Sequence, residues 1–268
     1  MGVLNITPDS FSDGGNFFAF DDAVAQGAKL AADGADILDI GGESTRPFSD
    51  PVSVEEEIRR VVPVIEKLAP RVSIPISIDT TKAAVARRAL EAGASIINDV
   101  SSLRLDRDMA DLAAESGVPV ILMHMLGTPK TMQVDPEYDD LIGEIKAFLE
   151  KSIDHATAKG ISKSKIIIDP GIGFGKTKTH NLLLIKHLRE FKTLGVPVMI
   201  GPSRKAFIRN ILKDKALKEI RPDLPEVEIG TQAAVAASIL NGADLVRVHN
   251  VANTRTTVKI MDAIKNSD

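Results

Sequence analysis

Gly93-Ala94-Ser95-Ile96-Ile97-Asn98 begins on a glycine, passes through small residues into an apolar burst and ends on one polar side chain. The unit returns along the chain. Val3-Leu4 leads to Asn5, Ile37-Leu38 to Asp39, and Ile76-Ser77-Ile78 to Asp79. Val120-Ile121-Leu122-Met123 leads to His124, and Ile166-Ile167-Ile168 to Asp169. Val198-Met199-Ile200 leads to Ser203 and Lys205, and Leu245-Val246 to Arg247 and His249. Parallel strands buried on both faces read as such bursts rather than as alternations. Eight of them, separated by helical stretches, predict an α/β fold: one (β/α)8 TIM barrel spanning residues 1–268. The active sites of such barrels lie where the strands end, so the polar residues closing the runs mark the expected mouth.

Helices are expected over residues 20–33, 53–69, 80–92, 106–116, 136–159, 179–194 and 229–241. Most stop at a glycine: Gly34, Gly93, Gly117, Gly160, Gly195 and Gly242. Glycine past a helix end takes the left-handed conformation without steric cost. Ser53 followed by Glu56 has the spacing of a capping box. Residues 7–19 and 41–52 are long loops after strand ends and would overhang the mouth, where such loops are usually functional. Residues 214–228 mix charges with Pro222 and Pro225, without an assigned role.

Bulk properties narrow the classes. A chain of 268 residues with 44% hydrophobic content fits a single barrel domain with a large core. Net charge is −4 without a basic stripe, which argues against nucleic acid as a partner. There is no cysteine, so disulfides and thiolate metal sites are excluded. No run approaches the ~18 apolar residues that would suggest a membrane span. MGVLNITPDS lacks a basic segment followed by an apolar stretch, so no secretory signal is evident and a cytoplasmic location is expected. The first strand is short; it begins at the first residue or follows residues that this sequence lacks.

The run Asp169-Pro170-Gly171-Ile172-Gly173-Phe174-Gly175-Lys176-Thr177 invites a nucleotide-binding reading and fails it on spacing. A Walker A loop needs glycine where Pro170 stands. The dinucleotide fingerprint needs glycine where Lys176 stands. The glycines are expected to let the backbone pass close to a flat ligand. Asp79, Asn98 and Asp169 end three apolar runs and should face one mouth. Two carboxylates and an amide suit a ligand rich in N–H donors, such as a 2-amino-4-oxo-pterin ring. For Asp79 alone, capping the following helix is the alternative. Lys205, Arg247 and His249, with Asn5, Thr45 and Arg46, supply groups for an anionic leaving group and an anionic co-substrate. His124 reads as a pocket wall, and His155, His180 and His187 as surface groups. No zinc pattern occurs, but an oxygen-bound cation stays open, with Asn5 as its candidate ligand.

Taken in order, these segments resemble the dihydropteroate synthases. The similarity rests on Met1-Gly2-Val3-Leu4-Asn5-Ile6-Thr7-Pro8-Asp9-Ser10-Phe11-Ser12-Asp13-Gly14-Gly15 and Gly41-Gly42-Glu43-Ser44-Thr45-Arg46-Pro47. Ser77-Ile78-Asp79-Thr80, Ile97-Asn98-Asp99, Met123-His124-Met125, Asp169-Pro170-Gly171, Ser203-Arg204-Lys205 and Arg247-Val248-His249 follow. The resemblance implies condensation of 6-hydroxymethyl-7,8-dihydropterin diphosphate with 4-aminobenzoate, giving 7,8-dihydropteroate and pyrophosphate. It implies catalytic roles for Asn5, Asp79, Lys205, Arg247 and His249. It places Asp79, Asn98, Asp169 and Lys205 on the pterin, with Met123 and Phe174 lining the slot. Asn5, Arg247 and His249 would hold the diphosphate, with Asn5 on Mg2+. Thr45, Arg46, Pro47, Ser203 and Phe11 would shape the aminobenzoate site, and Asp9 and Asp13 belong to the first loop. It further implies sulfonamide inhibition and a homodimer.

One departure stands out: Phe48 occupies a position where the family usually has glycine. The competing readings are a methyltetrahydrofolate:corrinoid methyltransferase and a non-catalytic pterin-binding paralogue. The first would not need Ser44-Thr45-Arg46-Pro47 or Ser203-Arg204-Lys205; intact Asn5, Arg247 and His249 argue against the second.

Overall fold

The structure, a computed structural model, describes residues 1–6, 16–44, 51–129, 131–213 and 220–267. Strand and helix alternate along it. The first half runs β1 (Gly2–Asn5), α1 (Asn16–Ala32), β2 (Leu38–Gly41), α2 (Val54–Leu68), β3 (Ile76–Asp79), α3 (Ala83–Glu91), β4 (Ile96–Asp99) and α4 (Met109–Ser116). The second runs β5 (Val120–Met123), α5 (Leu141–Ala158), β6 (Ile166–Asp169), α6 (Lys178–Lys186), β7 (Met199–Ile200), α7 (Ala206–Leu212), α8 (Pro225–Leu240), β8 (Leu245–Val246) and α9 (Val251–Lys265).

Every strand is parallel to its neighbour. β1 to β6 pair in sequence order, and β7 pairs with β8. Two parallel bridges join these sets, Ile168 with Val198 and Gly2 with Val248. Backbone bonds reinforce both joints: Ile168 N to Pro197 O at 2.9 Å, Val3 N to Val248 O at 3.0 Å and Val248 N to Met1 O at 3.0 Å. The order therefore returns to its start, as a barrel requires. The short β1 is tied on both sides.

Side chains divide between two apolar layers. Leu38, Ile40, Ile76, Ile78, Ile97, Leu122 and Ile168 pack outward against Leu30, Val61, Ile65, Leu68, Val85 and Leu149 of the helices. Each such Leu or Ile contributes roughly 1.5–3 kcal/mol by leaving water. The alternate positions form a separate inner cluster of Met1, Ile96, Ile121 and Met199, with Ile37, Ile167 and Leu245 packed on it. Above that inner plug the inward positions turn polar. Strand pairing aligns Asn5 with Gly41, Gly41 with Asp79, Asp79 with Asn98, and Met123 with Asp169, so the strand ends share one level.

The predicted helix ends hold better than the starts. Gly34, Gly93, Gly117, Gly160, Gly195 and Gly242 all have positive φ. Ser53 Oγ accepts from Glu56 N at 3.2 Å, but the Glu56 carboxylate serves Arg59 and Arg60, so only half of a capping box forms. The expected start at Thr80 moves to Ala83, because Thr80 Oγ1 accepts from Lys82 N and Asp106 Oδ2 from Ala83 N. Asp79 therefore does not cap that helix. The expected helix over 179–194 divides into α6 and a 3-10 turn at Leu188–Leu194. His180 completes a reciprocal cap with Thr177 at the start of α6. α8 opens four residues earlier than expected, with Pro225 in its first turn. α9 was not among the expected helices.

Candidate active site

Three of the expected groups meet through a fourth residue. Arg247, just beyond β8, donates from Nε to Asp39 Oδ2 at 2.6 Å and from Nη2 to Asp79 Oδ2 at 2.7 Å. Asn98 of β4 donates from Nδ2 to the same Asp39 oxygen at 3.1 Å. Asp39 is wholly buried. Sequence reasoning marked it as a strand end and gave it no role; the structure runs β2 on to Gly41 and places Asp39 one inward position below Asp79, opposite Ser77. Arg247 thus lies among the carboxylates and compensates their charge.

The electrostatics follow from burial. Desolvation pushes the Asp79 carboxyl up to about 7, against the attraction of Arg247 and with help from Asp39, Glu57 and Asp99. Burial works against the charge on Arg247, but Asp39 and Asp79 outweigh it and hold the guanidinium above its ordinary pKa. Asp169 is also raised by burial; the Gly171 amide, which donates to Oδ1 at 2.7 Å, and the charges of Lys205 and Arg247 oppose that shift.

The glycine-rich segment after β6 forms the next wall. Its glycines answer first to packing against protein. A Cβ on Gly171, at φ +74°, would lie 1.9 Å from His124 O. A Cβ on Gly173 would stand 3.1 Å from the Lys205 side chain. That space lets Lys205 Nζ sit 4.2 Å from the centre of the Phe174 ring, a cation–π contact. Surrounding side chains pin the segment. Asn181 Oδ1 accepts from Gly173 N at 2.7 Å, Tyr138 Oη donates to Gly175 O at 2.8 Å, and Lys176 Nζ donates to Phe174 O at 2.8 Å.

Lys176 is a second residue whose part sequence reasoning missed. It is buried, and its Nζ lies 2.9 Å from His124 Nδ1. Burial pushes the lysine down to about 7. Burial and the adjacent lysine push His124 down to about 2, so its ring stays neutral and accepts from the lysine. His124 is buried at the end of β5, where it was read as a pocket wall. Met123 lies in a small apolar cluster with Val100, Met125 and Met132, and Phe174 packs against it. An apolar wall beside carboxylates suits a flat, donor-rich heterocycle.

Ser203 and His249 come together across β7 and β8, with Ser203 Oγ 3.0 Å from His249 Nδ1 and accepting from His249 N at 3.3 Å. Asn5 stands half-buried at the end of β1. Among the described residues, no three His, Cys, Asp or Glu side chains converge as a metal cage. A single amide oxygen at Asn5 fits a cation that arrives already bound to phosphate.

Thr45, Arg46, Pro47 and Phe48 of the second loop, and Asp9, Phe11 and Asp13 of the first, lie outside the described residues. The root of the second loop is described. Glu43 Oε1 accepts from Val52 N at 2.8 Å, and Lys82 Nζ joins Glu43 Oε2 at 2.8 Å to Glu57 Oε2 at 2.5 Å.

The comparisons with known proteins agree with this geometry. A family model described as pterin binding enzyme matches residues 1–249. Dihydropteroate synthase of Synechocystis sp. is 46% identical over 98% of this chain and 89% of its own length. The Xanthomonas albilineans dihydropteroate synthase solved with 4-aminobenzoic acid has a TM-score of 0.91 at 45% identity, covering 100% of this chain and 93% of that one. The same enzyme in complex with 7,8-dihydropteroate has a TM-score of 0.88 at 43% identity, covering 100% and 94%. Chemistry of the mouth, strand order and similarity from end to end converge: the chain belongs to the dihydropteroate synthase family of pterin-binding enzymes.

Proposed function

We infer that this chain is a transferase of folate biosynthesis that joins 4-aminobenzoate to 6-hydroxymethyl-7,8-dihydropterin diphosphate. The products are 7,8-dihydropteroate and pyrophosphate. The observation that carries the reading is the Asp39–Arg247–Asp79 chain with Asn98, set at the mouth of a barrel whose relatives catalyse this condensation. Sulfonamides, as mimics of 4-aminobenzoate, are its expected inhibitors.

The chemistry asks for charge separation. The C–O bond to the diphosphate breaks, and the methylene carbon becomes cationic in conjugation with the electron-rich dihydropterin. The arylamine nitrogen then forms the C–N bond and releases its proton. Asp79 and Asp169 accept from the pterin N–H groups and offset its positive charge, Asn98 completes the edge, and Met123 and Phe174 line the slot. Arg247, Asn5 and His249 receive the departing diphosphate, and Lys205 binds on the pterin side. Fixed charges aimed at developing charge act by preorganisation. Mg2+, held by Asn5 and the substrate phosphates, would neutralise leaving-group charge. Ser203, Thr45, Arg46, Pro47 and Phe11 form the aminobenzoate side. Asp9 and Asp13 serve in a first loop that excludes water, which would otherwise trap the cation.

The protein is further proposed to act in the cytoplasm as a homodimer. An apolar groove between α6, α7 and α8, with Leu182 and Ile211 exposed along it, supports the second point. Light scattering on the purified chain gives its oligomeric state.

The function is tested by pyrophosphate release on mixing both substrates with magnesium, with and without 4-aminobenzoate. Release that depends on the amine supports the reading, and its absence overturns it. Asp169→Ala and Lys205→Ala are each expected to lose activity chiefly through pterin binding. Wild-type calorimetric affinity for the pterin in both variants would refute those roles.

A further inference from the structure

Asp39 occupies a position that the reaction as described does not use. Its carboxylate is fully buried on the inner face of β2, in register between Val3 and Ser77. One oxygen, Oδ2, accepts from both Arg247 Nε and Asn98 Nδ2. The other, Oδ1, is buried without a hydrogen-bond partner among the described residues. Every anchoring bond of this side chain therefore goes to one of two residues read as substrate-binding, Arg247 and Asn98. Those groups come from strands on different sides of the barrel, and the proposed mechanism assigns them to different parts of one substrate, the pterin edge and the diphosphate.

The charge balance gives the arrangement a purpose. Arg247 meets two carboxylates, Asp39 at 2.6 Å and Asp79 at 2.7 Å. Of these, Asp79 must receive the N–H donors of the ring, so the substrate competes with the guanidinium for it. If Asp79 were the sole counter-ion, freeing it would leave a half-buried guanidinium unpaired, at a large desolvation cost. Asp39 removes that difficulty. It keeps Arg247 paired through Nε while Nη2 is released toward the phosphates, and the same oxygen keeps the Asn98 amide in place.

We propose that Asp39 is a positioning residue for the substrate: its single oxygen Oδ2 ties Arg247 to Asn98 and leaves Asp79 available to the pterin. The proposal rests on the reading of this mouth as a dihydropterin diphosphate site. It predicts that the pterin arm and the phosphate arm are energetically linked through one side chain that touches neither ligand.

The test is a pair of double-mutant cycles. Asp39→Asn, Asn98→Ala, Arg247→Gln and the two doubles that include Asp39→Asn are compared with wild type. Pyrophosphate release and calorimetric binding of 6-hydroxymethylpterin are measured for each. Asp39→Asn is expected to lower kcat/KM for the pterin diphosphate about 10- to 100-fold, the scale of a misplaced supporting group. The KM for 4-aminobenzoate should stay at the wild-type value. Each double should lose less than the product of its singles, because Asp39 acts through the partner already removed. Additive losses in both cycles, an equal rise in the 4-aminobenzoate KM, or unchanged kinetics would overturn the proposal. If Asp39→Asn does not fold, Asp39→Glu keeps the charge and shifts the oxygen by one methylene; it must then show the same split between the two substrates. A wild type that binds the pterin but releases no pyrophosphate sinks the synthase reading alone. Asp39 is then judged by calorimetry, where Asp39→Asn must weaken the pterin and be non-additive with Asn98→Ala. A wild type that does neither sinks both.

Discussion

Asp79 shows what the site costs. Its carboxyl is raised from 3.8 to about 7, chiefly by burial. Between about pH 4 and 7 the folded protein holds a proton that the unfolded chain has released, so stability falls as pH rises through that window. The scale is about 1.4 kcal/mol for each pKa unit. Asp79→Asn does not titrate. Its melting temperature relative to wild type should therefore be more favourable at pH 8 than at pH 5, while activity is lost at both; an equal difference at the two pH values refutes the assignment. Gly171 and Gly117 make a second comparison of single residues. Both have positive φ, but a Cβ at Gly117 meets nothing within 4 Å, whereas one at Gly171 runs into the His124 carbonyl. Gly117→Ala should cost only the left-handed penalty, about 1–2 kcal/mol. Gly171→Ala must also move backbone, and should lower the urea midpoint well beyond that. Asp79, Asn98 and Asp169 were legible in the sequence because each ends an apolar run. Asp39 ends one too, but its role arises from a contact with Arg247, 208 positions away, which no local pattern encodes.

At the scale of elements, the brace below the second loop is held by charge. Glu57 of α2 is wholly buried, and Lys82 pairs with it and with Glu43, which in turn holds Val52 at the far side of the loop. Glu57 Oε1 has no hydrogen-bond partner among the described residues, so Lys82 carries most of the compensation. Lys82→Met should cost about 3–5 kcal/mol in urea unfolding, because it strands a buried carboxylate. Lys82→Met combined with Glu57→Leu should recover most of that loss. If the single and double variants unfold alike, the buried charge is not the cause. This brace also shows where sequence reading falls short. Glycine stops are local signals and were read correctly at the helix ends. Helix starts depend on which side chain reaches the first free amides, and here Asp106, from the β4–α4 connection, takes the Ala83 amide that α3 presents. α9 was overlooked for a related reason. Its sequence VANTRTTVKIMDAIK is rich in Thr and Val, poor helix formers, and tertiary contact supports it: Gln232 of α8 bonds to Thr254 and Thr257, and Val251, Thr254 and Met261 are buried.

For the whole molecule, the eight-fold repeat was legible because strands covered on both faces must be apolar throughout, while the last inward position can be polar only at the mouth. Closure was not legible, since no sequence pattern says which strands meet at the seam. The joints concerned are β6 to β7 and β8 to β1, each made by one bridge and a few backbone bonds. They matter to function because Ser203, Lys205, Arg247 and His249 lie just past β7 and β8, whereas Asp39, Asp79, Asn98 and Asp169 lie on the six-stranded side. If the ring opened at these joints, Arg247 would swing away from Asp39 and Asp79, and the site would lose both its counter-ions and its phosphate side. A ring that opens only by global unfolding protects its seam amides as well as its interior ones, because exchange then reports the same free energy everywhere. The amides of Val3, Val248 and Ile168, all hydrogen-bonded across the joints, should therefore exchange as slowly as those of Ile97 and Leu122. Exchange at the seam several orders of magnitude faster than at β4 and β5 would mean that the two short strands detach as a unit. The mouth would then be assembled by substrate binding, and saturating pterin would slow the seam amides selectively.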